Sequence, residues 1–267
     1  MTAPPVYRDN NTMAELYTHI TSEVARCIAL LMTDVDGTML EDGIMPPQAV
    51  VNAVRSLQNA GITVGLVSGR HMPVLESMAR DMDIRGPLIA ENGGLAKISV
   101  GGDLLPLGFS RKPALAAYAK LKLAYGKRVR GRKDNEQRLI DFVFYADNLS
   151  AEDINRYLES DVQMLDSGYI RHLMQANVSK GETLQKIVAD SRIDCTYGGG
   201  VMVVGDSTTD ISLFERFDLS VLVANPNLPA DQTTRLDTLC RYRSTLPFAD
   251  GFVQVTRHIV KMRESAL

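Results

Sequence analysis

The stretch from Ile28 to Met39 constrains the fold of this chain more than any other. It opens with an apolar run whose length predicts a buried strand, and it ends in Asp34, Asp36 and Gly37. Side chains two apart on a strand share a face, so we expect the two carboxylates to point the same way. Two like charges that close repel each other unless a cation or a proton lies between them. The stretch therefore predicts a divalent metal site or a protonated carboxyl, with a solvated turn as the alternative.

Strands and helices alternate on both sides of a central region. A helix after Pro46-Pro47 leads to a strand at 62–67, a helix to about residue 80 and a short strand at 87–90. The same alternation returns in a helix at 180–190, a strand at 201–204, a helix from about 208, a strand at 219–223 and a helix near 250–263. Strands connected by helices in this order predict an α/β fold, a Rossmann-like parallel sheet with helical crossovers.

The central region has a different pattern. A hairpin at 95–107, helices at 112–124 and 151–159, and strands at 139–145, 162–166 and 169–173 predict a smaller α+β domain. We therefore divide the chain into an N-terminal extension at 1–27, a core at 28–91 and 178–267, and an insert at 92–177. In the extension, residues 1–11 are expected to be disordered, and residues 12–26 are expected to form a short helix capped by Thr12.

Composition excludes several classes of function. A net charge of −3 gives no general attraction to nucleic acid or to an anionic membrane, and no apolar run is long enough to span a bilayer. Three widely spaced cysteines fit a reducing compartment, so a cytoplasmic protein is expected. The basic run at 126–133 is interpreted as a solvated loop of the insert rather than a nucleic-acid patch.

Two further strand ends carry polar side chains. Ser68 and Gly69 follow the strand at 62–67 and begin a helix, where free N–H groups favour a phosphate. Asp206 and Asp210 follow the strand at 201–204, and carboxylate oxygens suit Mg²⁺. Since ligands of parallel sheets collect beyond the carboxyl ends of the strands, these residues and Asp34 would share one crevice. A helix cap at Ser68 and an exposed turn at 205–210 are the alternatives.

Lys180 is placed in the first turn of a helix by the capping pattern Ser179-Lys-Gly-Glu182. A cation there faces the positive end of the helix dipole, which costs about 0.3–1 kcal/mol. The position is understandable if Lys180 contacts an anion, although a lysine that points into water would pay little of this cost.

Taken in order, these motifs resemble the haloacid dehalogenase superfamily of phosphohydrolases. The match consists of Asp34-x-Asp36-Gly-Thr38, Ser68 after a strand, Lys180 at a helix start, and Gly205-Asp206-x-x-x-Asp210. The insert follows Glu91-Asn92-Gly93, as in the Cof-type subfamily with an α+β cap. The segments 166–172, 178–181 and 249–253 are most similar to archaeal-type phosphoglycolate phosphatases. Two departures are Thr209, where relatives usually carry Asn, and the segment before Cys27.

The resemblance implies a Mg²⁺-dependent phosphatase that acts through an aspartyl-phosphate, with phosphoglycolate as the first choice of substrate. It implies Asp34 as nucleophile and Asp36 as acid and base. The metal would be held by Asp34, the Asp36 backbone carbonyl and Asp206, with support from Asp210. Substrate-binding roles are implied for Thr38, Ser68, Gly69 and Lys180 at the phosphoryl group. Candidates for reaching the leaving group are Asn92, Arg171 and His172, and the alternative for each is a role in the fold of the insert itself.

Other functions share parts of this pattern. A phosphatase for sugar phosphates or phosphorylated glycosides would use the same core with different contacts from the insert. A phosphosugar mutase and a non-catalytic binding module are more distant alternatives. The expected partner is a small phosphorylated metabolite rather than nucleic acid or a membrane, and the chain is expected to be a monomer or a homodimer.

Overall fold

The computed structural model describes residues 13–43, 45–167, 170–190 and 200–265. Its strands are β1 (Glu15–Leu16), β2 (Ile28–Thr33), β3 (Thr63–Val67), β4 (Leu88–Ala90), β5 (Leu95–Lys97), β6 (Val129–Gly131), β7 (Phe142–Ala146), β8 (Val162–Asp166), β9 (Arg171–Gln175), β10 (Gly200–Gly205), β11 (Leu219–Ala224) and β12 (Tyr242–Pro247). Its α-helices are α1 (Ser22–Cys27), α2 (Gln48–Asn59), α3 (Met72–Asp81), α4 (Lys112–Tyr125), α5 (Ala151–Asn155), α6 (Lys180–Val188), α7 (Ile211–Phe214), α8 (Ala230–Leu239) and α9 (Phe248–Glu264).

The main sheet confirms the predicted α/β core. Within the described residues it has eight strands in the order β1-β12-β11-β10-β2-β3-β4-β5, and all neighbours except β4 and β5 are parallel. Every residue of β2 is buried because helices cover both faces of the sheet. Leu31 packs in the cluster that includes α2, α3 and α9, whereas Leu30 and Met32 pack in the cluster that includes α6, α7 and α8.

The described part of the N-terminal extension belongs to the core. β1 pairs with β12, and α1 starts at Ser22 with Thr21 as its N-cap, so the helix predicted over 12–26 is wrong in its first half. Ile20 and Ala25 are fully buried in the main apolar cluster. The predicted disorder at 1–11 concerns residues outside the described ranges.

The start of the insert was predicted too early. Leu95–Lys97 pairs antiparallel with β4 in the main sheet, so the expected hairpin is reduced to one bridge between Lys97 and Leu104. The short turn through Glu91–Gly93 returns the chain directly along β4, which explains why β5 stays in the core sheet. The second sheet, with strand order β6-β7-β9-β8, is antiparallel and lies within the segment that begins with α4 and ends with β9. We use the name insert for this segment, residues 112–175.

Besides β1, three elements went unpredicted. β6 lies inside the basic run, which was interpreted as a loop, and α8 and β12 follow the last predicted strand. β12 alternates buried and exposed side chains and joins β1 to the sheet. Among the described helices, none combines the length and the apolar character that a membrane span requires.

Candidate active site

Three buried carboxylates meet at the carboxyl ends of two adjacent strands. Asp34 follows β2, and Asp206 and Asp210 follow β10, which pairs with β2. One oxygen from each carboxylate lies within 4.8 Å of the others, and all three residues are buried. The backbone N–H of Asp34 donates to the carbonyl of Val204 at 2.8 Å, which fixes the two strand ends relative to each other. The convergence expected from the strand ends is therefore present for Asp34, Asp206 and Asp210.

Lys180 supplies the cation of this cluster. Its Nζ lies 2.9 Å from Asp34 Oδ1 and 2.7 Å from Asp210 Oδ1, and the side chain is buried. Burial alone would lower the pKa of Lys180, but the charges of Asp210 and Asp34 outweigh it and raise the pKa. Lys180 is the first residue of α6, and Ser179 caps the helix by accepting the N–H of Glu182. The expectation that this lysine meets an anion is confirmed within the protein itself.

The carboxylates carry more negative charge than Lys180 can balance. Burial raises the pKa of Asp34 well above its usual range, Lys180 lowers it, and Asp210 and Asp206 raise it further. Burial and the charge of Asp210 raise the pKa of Asp206 to about 7, although hydrogen bonds oppose this shift. Those bonds come from Thr38 Oγ1 at 2.7 Å and Asn225 Nδ2 at 2.6 Å.

Asp36 does not join the three carboxylates, contrary to the expectation that it shares a site with the Asp34 side chain. β2 ends at Thr33, so the alternation of a strand does not extend to Asp36. Its half-exposed carboxylate pairs with Arg70, whose Nε and Nη2 donate at 2.9 and 2.6 Å. Gly37, the next residue, has φ +86°, and a Cβ there would lie 2.3 Å from Asp206 Oδ2. The turn therefore requires glycine.

The predicted phosphate loop is tied to the loop after β4. Ser68 is fully buried, and its Oγ accepts the N–H of Arg70 at 3.1 Å. The N–H of Asn92 donates to the carbonyl of Ser68, and the N–H of Glu91 donates to that of Arg70, each at 3.0 Å. Glu91 and Asn92 have φ of +51° and +56°, a strained region for residues other than glycine. Such strain is held in place by these cross-loop bonds.

Comparison with known proteins agrees with this geometry. The model of the haloacid dehalogenase-like hydrolase family matches residues 31–122 and 125–233. The chain belongs to the haloacid dehalogenase-like hydrolase family. It is 27% identical over 229 residues to a phosphoglycolate phosphatase of Methanospirillum hungatei, covering 85% of this chain and 94% of the relative.

Further relatives agree in sequence and in fold. The chain is 31% identical over 200 residues to a phosphoglycolate phosphatase of Metallosphaera sedula, covering 74% of this chain and 86% of the relative. A crystal structure of a Thermoplasma acidophilum protein superimposes with a TM-score of 0.70 at 22% identity, covering 88% of this chain and 99% of that one. The fold class predicted from the sequence is thus that of the family.

The insert of this hydrolase is anchored to the core through Glu91. The buried Glu91 carboxylate accepts the backbone N–H groups of Leu139, Ile140 and Asp141 at 3.0, 2.7 and 2.9 Å. Arg138 adds a second link, since its Nη1 donates to the carbonyl of Gly69 at 3.0 Å. The insert therefore meets the core at the two loops that carry Ser68 and Asn92.

Of the three residues considered for the leaving group, two lie at this junction. On strand β9, His172 shares a face with Met174, which packs in the core cluster. Arg171 shares the opposite face with Leu173, which packs against the insert's own helices. Arg171 pairs with Asp166 at 2.9 Å and donates to the carbonyl of Leu149, and these contacts favour the alternative of a role in the fold of the insert. Asn92 and His172 remain candidates.

The departures from the family pattern have local explanations. Thr209 keeps an oxygen near the lysine, with Oγ1 3.3 Å from Lys180 Nζ and 2.9 Å from Ser207 Oγ. In the basic run, Arg130 pairs with Asp147 at 3.0 Å and Arg132 pairs with Asp134 at 3.1 Å. These pairs lie within the insert.

Sequence reasoning missed several residues of the site. Asn225 follows the end of β11, which neighbours β10, so the strand-end rule could have identified it. Asp141 lies inside the strand predicted at 139–145 and Arg138 lies directly before it, and neither residue was singled out. No local pattern marks their role at the junction, because the contacts that join them to the core, from the Asp141 N–H to Glu91 and from Arg138 to the carbonyl of Gly69, span 50 and 69 residues of the chain.

Proposed function

We propose that this hydrolase cleaves small phosphomonoesters, with phosphoglycolate as the first choice, through a covalent phosphoryl-Asp34 intermediate. The observation that carries the proposal is the buried cluster in which Lys180 bridges Asp34 and Asp210 beside Asp206. The names of the two curated relatives favour phosphoglycolate over other esters. The extent of the match, which includes the insert, supports the same substrate class.

Asp34 is suited to nucleophilic attack. Its backbone is fixed by the strand pairing, and one oxygen is held by Lys180, which leaves the other to approach phosphorus. Attack by a carboxylate divides a slow displacement into two steps, formation and hydrolysis of an acyl phosphate. The positive charge of Lys180 also offsets the charge of the phosphoryl oxygens as they come close.

The three carboxylates fit a divalent cation such as Mg²⁺. They offer oxygen donors within 4.8 Å of one another, and the raised pKa values of Asp34 and Asp206 indicate that the cluster holds more negative charge than Lys180 compensates. We propose Asp34, the Asp36 backbone carbonyl and Asp206 as ligands, with Asp210 in support. When bound, the cation would screen the repulsion between the attacking carboxylate and the phosphate.

The remaining roles follow from position. Asp36 is proposed as the group that protonates the leaving oxygen and later takes a proton from water, since it follows Asp34 and its carboxylate is accessible. Ser68, the Gly69 N–H and Thr38 are proposed to hold the phosphoryl oxygens. Thr38 donates to Asp206 and would therefore also orient a metal ligand.

The test is phosphate release by the purified protein from phosphoglycolate, glucose 6-phosphate and sucrose 6-phosphate, with Mg²⁺ and with a chelator. We expect phosphoglycolate to be preferred and the chelator to abolish turnover. Asp34→Asn should lower kcat by about 10³-fold or more, since it removes the nucleophile. The matched control is Asp103→Asn at an exposed position of the same charge. Substantial turnover by pure Asp34→Asn protein would disprove the mechanism, and a preferred sugar phosphate would change the substrate only.

A further inference from the structure

Two polar side chains approach Gly69 from different domains. A Cβ built on Gly69 would lie 3.1 Å from both Nδ2 and Oδ1 of Asn92, which belongs to the core. It would lie 3.3 Å from Cε1 of His172, which belongs to the insert. Gly69 directly follows Ser68 of the proposed phosphate loop. Asn92 and His172 therefore border the space next to Gly69, and that space is narrow.

Asn92 presents a hydrogen-bond donor that the described protein leaves unused. The residue is 2% exposed, and its Nδ2 has no hydrogen-bond partner among the described residues. Buried donors are almost always paired, and an unpaired one is costly. The hydrogen bond from the Asn92 N–H to the carbonyl of Ser68 keeps the residue beside the proposed phosphate loop. The unpaired Nδ2 is explained if a ligand supplies the missing acceptor.

His172 is held by a contact between one ring nitrogen and Asp141. Nδ1 lies 2.7 Å from Asp141 Oδ2, and both Asp141 oxygens accept from Arg138 Nη1 at 2.8 and 2.9 Å. Burial alone would raise the pKa of Asp141, but hydrogen bonds and charges from His172 and Arg138 outweigh it and lower the pKa. An ionised carboxylate only accepts, so the hydrogen of this bond belongs to Nδ1. Nε2 is then the nitrogen that a ligand can reach.

Arg138 connects this arrangement to the phosphate loop. The guanidinium that binds Asp141 also donates to the carbonyl of Gly69, so the position of His172 is fixed relative to Gly69. The distance from the proposed phosphate loop to the ring is thereby set by contacts within the protein. Preorganised donors of this kind favour one size of leaving group.

We propose that Asn92 and His172 form a subsite for the carboxylate of the leaving group, so that the substrate is a short phosphorylated hydroxy acid. This inference rests on the proposed phosphatase function. Asn92 Nδ2 donates to one carboxylate oxygen. His172 donates to the other from Nε2 in the complex that carries a hydrogen on both ring nitrogens. Arg138 and Asp141 act as positioning residues.

The first test compares phosphoglycolate with phosphoglycolamide, in which a neutral amide of the same shape replaces the carboxylate. The wild type should prefer phosphoglycolate. Asn92→Asp keeps the size and the backbone preference of Asn92 but replaces the donor by a repelling carboxylate. It should lower kcat/KM more for phosphoglycolate than for phosphoglycolamide. The ratio of the two kcat/KM values should therefore change by about tenfold to a hundredfold from that of the wild type.

The second test uses His172→Gln, with inorganic phosphate as a competitive inhibitor. The KM for phosphoglycolate should rise roughly tenfold, while the inhibition constant for phosphate changes by less than about threefold, because the phosphoryl end is intact. Arg171→Gln is the matched control, since Arg171 is the neighbouring residue on the opposite face of β9. It should leave the ratio between the two esters unchanged.

The outcomes separate the two levels of the proposal. If the wild type releases phosphate but both variants lose the same factor on both esters, the carboxylate subsite is refuted and the phosphatase function stands. If the wild type hydrolyses neither these esters nor the sugar phosphates, the function itself fails and the subsite with it. If His172→Gln unfolds in a thermal melt, Asn92→Asp still decides the question alone.

Discussion

The two ends of the candidate site are built in different ways. The phosphoryl end consists of residues that follow neighbouring parallel strands, with Asp34 after β2 and Asp206 after β10. The other end consists of a network between loops of two domains, in which Glu91, Arg138 and Asp141 join the core to the insert. The first end is fixed by sheet topology, and the second by individual side-chain bonds.

This difference separates chemistry from selectivity. A parallel sheet brings its strand ends together whatever the loops contain, so the carboxylates and Lys180 form a stable site for one reaction. Bonds across a domain junction can be changed one residue at a time without loss of the core. We therefore expect substitutions at the phosphoryl end to remove activity on all esters, and substitutions at the junction to change stability and substrate preference.

The largest effect is expected at the phosphoryl end, for Lys180→Met. Methionine fills similar space but leaves Asp34 and Asp210 without their cation, so kcat should fall by about 10³-fold on every ester. Lys186→Met in the last turn of the same helix is the control. Steady-state kinetics with two unrelated esters would measure the effect. A loss confined to one ester would show that the comparison between the two ends is wrong.

The next prediction uses the unbalanced charge of the carboxylate cluster. The pKa of Asp206 is raised to about 7, from an ordinary value of 3.8, and that of Asp34 is also raised. Between pH 3.8 and about pH 7, the folded protein without metal binds more protons than the unfolded chain. Its free energy of unfolding therefore falls as the pH rises through this range. In chelator, the melting temperature should be several degrees lower at about pH 7.5 than at about pH 5.

Mg²⁺ should reverse this trend, because it binds the ionised carboxylates and stabilises the folded state. The rise in melting temperature on adding Mg²⁺ should therefore be larger at the higher pH. Asp206→Asn is the informative variant, since it should remove much of the pH dependence in chelator. An equal decline with and without Mg²⁺ would contradict the assignment of the cluster as a cation site.

The same comparison explains what could be predicted from the sequence. Asp34, Ser68, Lys180 and Asp206 were identified because each follows a strand or begins a helix, and the sheet brings such positions together. The error over Asp36 has a related cause, since the strand ends one residue before Asp34 and the two-residue alternation stops there. Local geometry therefore predicts the site only as far as the regular element extends.

The junction could not be predicted in this way. Glu91 and Asp141 are 50 residues apart, and nothing in either local sequence indicates that a carboxylate will accept backbone N–H groups from the other domain. The choice between Arg171 and His172 depended on the register of β9, because adjacent residues of a strand face opposite sides. The start of the insert was misplaced because β5 reads as part of a hairpin but pairs with β4.

The smallest of these effects is expected at the junction, for Glu91→Gln. In the wild type, three backbone N–H groups of the insert donate to the Glu91 carboxylate. Glutamine keeps one acceptor oxygen, but its NH₂ group would face N–H donors. Loss of these buried bonds should lower the free energy of unfolding by about 1–3 kcal/mol. Chemical denaturation would measure it, with Glu136→Gln on the exposed surface of the insert as the control. Because the phosphoryl end does not depend on this contact, kcat on carboxylate-free esters should fall far less than for Lys180→Met. A loss of kcat as large as that of Lys180→Met, in protein that remains folded, would show that the two ends act as one unit.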